Sequence, residues 1–290
     1  MKIHHLNCGT CCPPGGRLFD GTSDAPKGHI VCHCLLIESD QGLILVDTGF
    51  GTRDIANQHH RLSEFFLGLN QPQLRPSETA MAQVKELGFS HLDVRHILIT
   101  HLDFDHAGGL EDFPNATVHL TCREKEVADE REGGFFVGTR RYRPEQWNEV
   151  GEWKLYPMGG GEPWFGFDCV RDLHGLPPEI LLVPLAGHTW GHSGIAIRED
   201  ADNGNGGGWM LHAGDAYFYR GEVGSEAYSC PPGMRAYQRM MEVDRAARLA
   251  NQAKLRRLSI DHGDEVRLFC AHDPVEFEIL AGGPRPRLTC

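Results

Sequence analysis

Five apolar, strand-like runs in this chain lead, within four residues, to an imidazole or a carboxylate. Gly42–Val46 runs into Asp47, His96–Thr100 into His101, and Ile180–Pro184 into Gly187-His188. Trp209–His212 leads to Gly214-Asp215, and Val266–Cys270 to His272. Short apolar runs bounded by turn residues read as buried strands. Polar residues placed just past strand ends are delivered to a sheet edge, where they can project into a cleft. The pattern therefore calls for a layered α/β structure with one chemically loaded edge.

The rest of the chain fills in that outline. His29–Glu38 reads as a further strand, separated from Gly42–Val46 by the Ser39-Asp40-Gln41 turn, and Thr117–Leu120 as another. Over Thr79–Leu87, residues Ala80, Met81, Val84 and Leu87 fall at helical spacing with Gly88 behind them as a C-cap. Arg123–Glu132 reads as a charged surface helix and Met234–Leu258 as one long helix. Cys8–Gly16 reads as a Pro/Gly loop and Asp202–Gly208 as a hairpin tip. We expect one domain over 1–290, with 133–180 as an irregular insertion or lid. That stretch carries Phe135, Phe136, Tyr142, Trp147, Trp153, Trp164, Phe165 and Phe167 without clear periodicity, as a wall for an apolar pocket or packing for a dimer partner.

Charge and composition narrow the partners. With 28 Lys plus Arg against 40 Asp plus Glu, the net charge is −12. A nucleic-acid partner needs a basic face and is not expected. The dense basic run Arg140-Arg141-Tyr142-Arg143 reads as a small-anion site or a solvated stretch. Mean hydropathy is −0.36, and no apolar run approaches the ~20 residues of a membrane span. Met1–Leu6 shows no secretory h-region, so a cytoplasmic location and mostly free thiols are expected for the ten cysteines. Cys8, Cys11 and Cys12 with Cys32-His33-Cys34 allow a zinc-knuckle reading. The preferred reading makes them small hydrophobes of a strand and a loop.

The most informative segment is Ile99-Thr100-His101-Leu102-Asp103-Phe104-Asp105-His106-Ala107-Gly108-Gly109, with four potential ligands in six positions. Imidazole and carboxylate together suit zinc, manganese or iron. Taken with Asp47-Thr48-Gly49, Gly187-His188-Thr189, Gly214-Asp215 and Ala271-His272-Asp273, it resembles the five ordered motifs of the metallo-β-lactamase superfamily. Within that superfamily the chain is most similar to lactonase and esterase-like hydrolases. The resemblance implies a four-layer αββα sandwich with two divalent metal ions, zinc first and manganese or iron as alternatives. It implies His101, Asp103 and His188 at one metal, and Asp105, His106 and His272 at the other. Asp215 would bridge, and Asp47 would orient the metal loop from behind. His192 and His212 are expected to be structural.

What the resemblance implies about activity is hydrolysis of a lactone or ester of a small molecule by a bridging hydroxide, with Asp105 or Asp215 handling the proton. Acyl-homoserine lactonases carry a Tyr three positions after the bridging Asp. This chain has Phe218 there, flanked by Tyr217 and Tyr219; either phenol is placed to reach in, and Tyr217 is the expected catalytic hydroxyl. A thioester-, persulfide- or phosphodiester-acting relative and an iron-dependent oxidoreductase are the alternatives. Related lactonases are often dimers, which allows a homodimer here. One position departs from the family pattern, because Asp103 stands where the usual ligand is His. Two divalent ions (+4), three aspartates (−3) and a hydroxide (−1) sum to zero, against +1 with His in that place. The extra carboxylate is therefore expected to weaken the first metal as a Lewis acid.

Overall fold

A computed structural model describes residues 1–130, 141–167, 171–199, 207–283 and 290. Two mixed sheets carry the structure. The first holds six strands in sequential order: β1 (Lys2–Cys11), β2 (Ile30–Ser39), β3 (Gly42–Val46), β4 (Val94–Leu98), β5 (Thr117–Thr121) and β6 (Glu152–Tyr156). β1 to β3 pair antiparallel, whereas β3 to β6 run parallel. The second sheet is formed from β7 (Arg171–Asp172), β8 (Ile180–Pro184), β9 (Ser193–Arg198), β10 (Trp209–His212) and β11 (Val266–Phe269), in the order β11-β10-β9-β8-β7. Only the β10–β11 pair is parallel in that sheet.

The continuous apolar runs have a period-two explanation. Leu35, Ile37, Ile44, Val46 and Leu98 of the first sheet meet Ile180, Leu182, Ile195, Ile197 and Met210 of the second in one core. The alternate residues Cys34, Leu36, Leu43 and Leu45 face outward, onto Ala80, Val84, Val127 and Ala128 of the helices Ala80–Glu86 and Cys122–Glu130. Leu181, Val183, Ala196 and Leu211 do the same on the other side, against Leu255 and Leu258 of the helix Arg245–Asp261. Both faces of each sheet are therefore covered, which is why these strands lack polar alternation. The result is the expected αββα layering.

Strand direction gathers the polar ends at one edge. β3 and β4 are parallel and both exit there. His212 at the end of β10 pairs with Ile195 near the start of β9, and Pro184 at the end of β8 pairs with Ser193. Main-chain bonds stitch the two sheets at this edge: Ser193 N donates to Thr100 O at 3.0 Å, and His33 N to Ala271 O at 2.8 Å.

Several sequence expectations need correction. Cys8–Cys11 belongs to β1 and not to a loop. The helix expected over Met234–Leu258 is two helices, Pro232–Met241 and Arg245–Asp261. They part because the N–H groups of Val243 and Asp244 both donate to Gly187 O at 3.0 Å, while the Asp244 carboxylate caps Ala247 N at 3.0 Å. Part of 133–180 is regular: β6 completes the first sheet, and Tyr142 and Trp147 are core residues beneath it. Phe135, Phe136 and most of the Asp202–Gly208 segment lie outside the described residues. Cys12 and Cys290 form a disulfide, an exception to the free thiols; Cys8, Cys11, Cys32, Cys34, Cys122, Cys230 and Cys270 are free. Proximity across 278 residues is a spatial fact that sequence spacing does not encode.

Candidate metal centre

Asp47 leaves β3 with φ 55°, a left-handed conformation that Asp tolerates better than most residues. The kink aims its carboxylate at the exit of β4. There it accepts from Thr100 N, from Thr100 Oγ1 and from His106 Nδ1, each at 2.8 Å. A carboxylate only accepts, so Nδ1 of His106 carries the proton and Nε2 faces the centre. Thr100 Oγ1 also accepts from His101 Nδ1 at 3.0 Å, which turns His101 the same way. His272 donates Nδ1 to Val31 O at 2.8 Å. Three imidazoles are thus held from behind with Nε2 pointing inward.

The inward atoms converge. His101 Nε2 lies 3.3 Å from Asp103 Oδ2 and 3.7 Å from Asp215 Oδ2. His188 Nε2 is 3.1 Å from Asp103 Oδ2 and 3.3 Å from Asp215 Oδ2. The other oxygen of Asp215 is 3.3 Å from His106 Nε2 and 3.1 Å from His272 Nε2. His101, Asp103, His188 and Asp215 therefore form one buried ligand group, and His106, Asp215 and His272 a second that shares Asp215. Asp105 joins through His272, 3.9 Å away, in a group that also contains Cys32.

Electrostatics follow from the crowding. Burial, then the neighbouring His106, pushes His101 down to about 4. Burial also acts against a charged His106, but Asp215 and Asp47 outweigh it and hold that imidazole well above its usual range. Asp215 is held well below the carboxylate range despite burial, by His272 and His106. Asp105 is pushed up by burial. The buried atoms of the centre that make no hydrogen bond include His101 Nε2, Asp103 Oδ1 and Asp215 Oδ1. Such orphaned atoms cost about 1–3 kcal/mol each. Bonds of about 2.0–2.1 Å in a tetrahedral shell place ligand atoms about 3.3 Å apart, and the spacings above match. The donor set fits divalent ions.

Other expected residues take supporting places. His192 donates Nδ1 to Leu185 O at 3.1 Å and accepts from Asp215 N at 2.9 Å, so neither nitrogen remains for a metal. His212 donates to His33 O and accepts from Gly214 N at 3.1 Å. Tyr217 requires correction: its hydroxyl bonds Glu276 at 3.0 Å and its ring lies in the core of the second sheet, so the phenol is spent away from the centre. Phe218 is the residue at the centre, its ring 5.0 Å from His272 and 5.6 Å from His188. Among the described residues, Cys8, Cys11, Cys34 and His33 enter no ligand group.

Three contributors were not assigned from sequence. Glu124 is buried and accepts from Leu102 N, Thr189 Oγ1 and Gly191 N, bracing two ligand loops together. Cys32 lies within ligand distance of Asp105 and His272. Arg141 is buried with its Nε 2.7 Å from Asp103 Oδ1. The departure at Asp103 was the available signal for Arg141, since a buried additional carboxylate demands a cation.

The metallo-β-lactamase superfamily model matches residues 28–225. The chain belongs to that superfamily and is an enzyme, a metal-dependent hydrolase. It is 38% identical over 284 residues to a probable metallo-hydrolase of Mycobacterium tuberculosis, covering 96% of this chain and 82% of that protein. It is 33% identical over 199 residues to an N-acyl homoserine lactonase of Bacillus cereus, covering 69% and 71%. A solved N-acyl homoserine lactone hydrolase, with N-hexanoyl-L-homoserine at its catalytic metal center, shares the fold with TM-score 0.68 at 21% identity over 95% of this chain and 94% of that one. Among the described residues no helix is long and apolar enough to cross a membrane.

Proposed function

We propose that this protein hydrolyses a lactone or ester of a small molecule at a dinuclear metal centre. His101, Asp103 and His188 would hold one ion, Asp105, His106 and His272 the other, with Asp215 between them. Bound there, divalent ions supply Lewis acidity, polarising a carbonyl and lowering the pKa of water to about 7. The single observation that carries the reading is the sharing of Asp215 between two buried ligand groups. Zinc is the ion we propose, since imidazole with carboxylate suits it.

The residues of the chain divide the remaining work. Thr100, Asp47 and the Val31 carbonyl orient imidazoles. Asp105 or Asp215, the carboxylates at the edge of and between the two ligand groups, would hold the proton during the reaction. Phe218 gives the centre an apolar wall where the homoserine lactonases carry a phenol. That favours a lactone or ester whose leaving oxygen needs no phenolic donor from that position.

Elemental analysis of purified protein, followed by a panel of lactones, esters, thioesters and phosphodiesters, tests this. Two zinc ions per chain and turnover confined to lactones and esters are expected. Turnover of phosphodiesters or thioesters alone would overturn the substrate reading, and fewer than two ligand-bound ions the dinuclear one.

A further inference from the structure

The departure at Asp103 has a partner on the same page of the fold. Arg141 is 2% exposed, and its guanidinium spends three nitrogens on two residues. Nε lies 2.7 Å from Asp103 Oδ1, Nη1 donates to His188 O at 3.0 Å, and Nη2 donates to His188 Nε2 at 2.8 Å. Asp103 thus gives one oxygen to Arg141 and keeps Oδ2 toward His101 and His188. Arginine stays charged and presents its donors in a fixed fork. A lone carboxylate at this depth would be costly, and so would a lone guanidinium.

We infer that Asp103 and Arg141 act as one unit that replaces the histidine usual at this position of the family. The charge sum supports it. Adding Arg141 (+1) to the neutral total reached for the ions, aspartates and hydroxide gives +1, the value of the histidine-containing centre. The expected weakening of the first metal is cancelled by a residue about forty positions downstream. An ion held by His188 would take the place of the Arg141 Nη2 contact on His188 Nε2, leaving Arg141 its ion pair with Asp103 and its hydrogen bond to the His188 carbonyl. Arg141 is a positioning residue: it sets how much negative charge Asp103 presents to the centre.

The inference rests on the proposed metal centre for its metal readout alone; the ion pair exists without ions. Two measurements on R141M, D103H, D103H/R141M and R141K test it. In metal-free protein, each of R141M and D103H should lower Tm by about 5 °C or more, since each strands a buried charge. The double variant should lose less than either. In zinc competition titrations, R141M should bind the first ion at least tenfold tighter, having lost a neighbouring positive charge. D103H should bind it at least tenfold weaker, and R141K, which keeps the charge, should stay within threefold of wild type. Additive Tm losses, or zinc affinities of R141M and D103H that do not move in opposite directions, overturn the inference. If R141M does not fold, R141Q takes its place in both measurements. A protein that passes both tests yet hydrolyses nothing in the panel refutes the proposed reaction and leaves the pair standing.

Discussion

The Asp47 carboxylate receives the Nδ1 proton of His106 at 2.8 Å, and this one bond decides which nitrogen of His106 faces the centre. Asparagine tolerates the same left-handed backbone, so D47N should fold. Its oxygen can still accept from Thr100, but its amide must then face Nδ1 as a donor. That drives the His106 proton to Nε2, the atom the metal needs. D47N should therefore bind zinc about 10–100-fold more weakly with Tm little changed, as read by competition titration and melting. Wild-type affinity in D47N would show that the tautomer is set elsewhere.

H106A and D215A should lose metal more completely. Each removes an inward ligand atom, and Asp215 belongs to both groups. Elemental analysis should find at least one ion missing from each variant, and turnover of the best panel substrate should fall by 10³-fold or more. A variant with full activity would end the metal account.

Tyr217 supplies the opposite kind of test. Its hydroxyl is committed to Glu276 inside the core of the second sheet. Y217F should change kcat/KM less than twofold and lower stability by about 1 kcal/mol, the usual worth of one hydrogen bond. A large loss of kcat with unchanged stability would return Tyr217 to the reaction.

Gly214 lets Asp215 reach the centre. Its φ is +53°, and a Cβ there would stand 2.6 Å from His192 Nε2, the atom that accepts from Asp215 N. Either the backbone or His192 must move, and both hold Asp215. G214A should therefore be destabilised by about 2 kcal/mol or more and should lose metal as well. A stable, fully loaded G214A would mean that His192 does not position Asp215.

Much of this was legible because the relevant signals are local. The strands β2, β3 and β8 to β10 show as apolar runs, since burial on both faces removes polar alternation. Asp47, His101, His188 and Asp215 come within four residues of the ends of such runs, so their shared edge was readable from order alone. Arg141 and Glu124 were not readable. Each belongs to a charged stretch that looks solvated in sequence, and each is buried against residues far along the chain, Glu124 at Thr189 and Gly191 and Arg141 at His188 and Asp103. β6 was hidden for a related reason: Glu152–Tyr156 is an edge strand with three exposed residues, and so lacks the apolar signature. Tyr217 and Phe218 show the limit most plainly. Adjacent residues point to opposite sides of the chain, and the sequence does not say which faces the centre.

His119 gives a pH test remote from the proposed ligands. It is buried in β5, with Nε2 3.0 Å from His96 Nδ1 and Nδ1 2.9 Å from the Tyr156 hydroxyl. Burial first, then His96 and Lys154, pushes it down to about 3. An unfolded histidine titrates near 6.5. Between these values the unfolded chain binds a proton that the folded chain refuses, so stability falls as pH drops from about 6.5 toward 3 and is unaffected by this group above 6.5. H119Q can keep one donor and one acceptor but does not titrate. Urea unfolding of metal-free wild type and H119Q, measured from pH 4 to 8, should give curves that differ by a constant above pH 6.5. Below that, H119Q should lose stability less steeply. Parallel curves throughout would show that His119 is not held neutral by its surroundings.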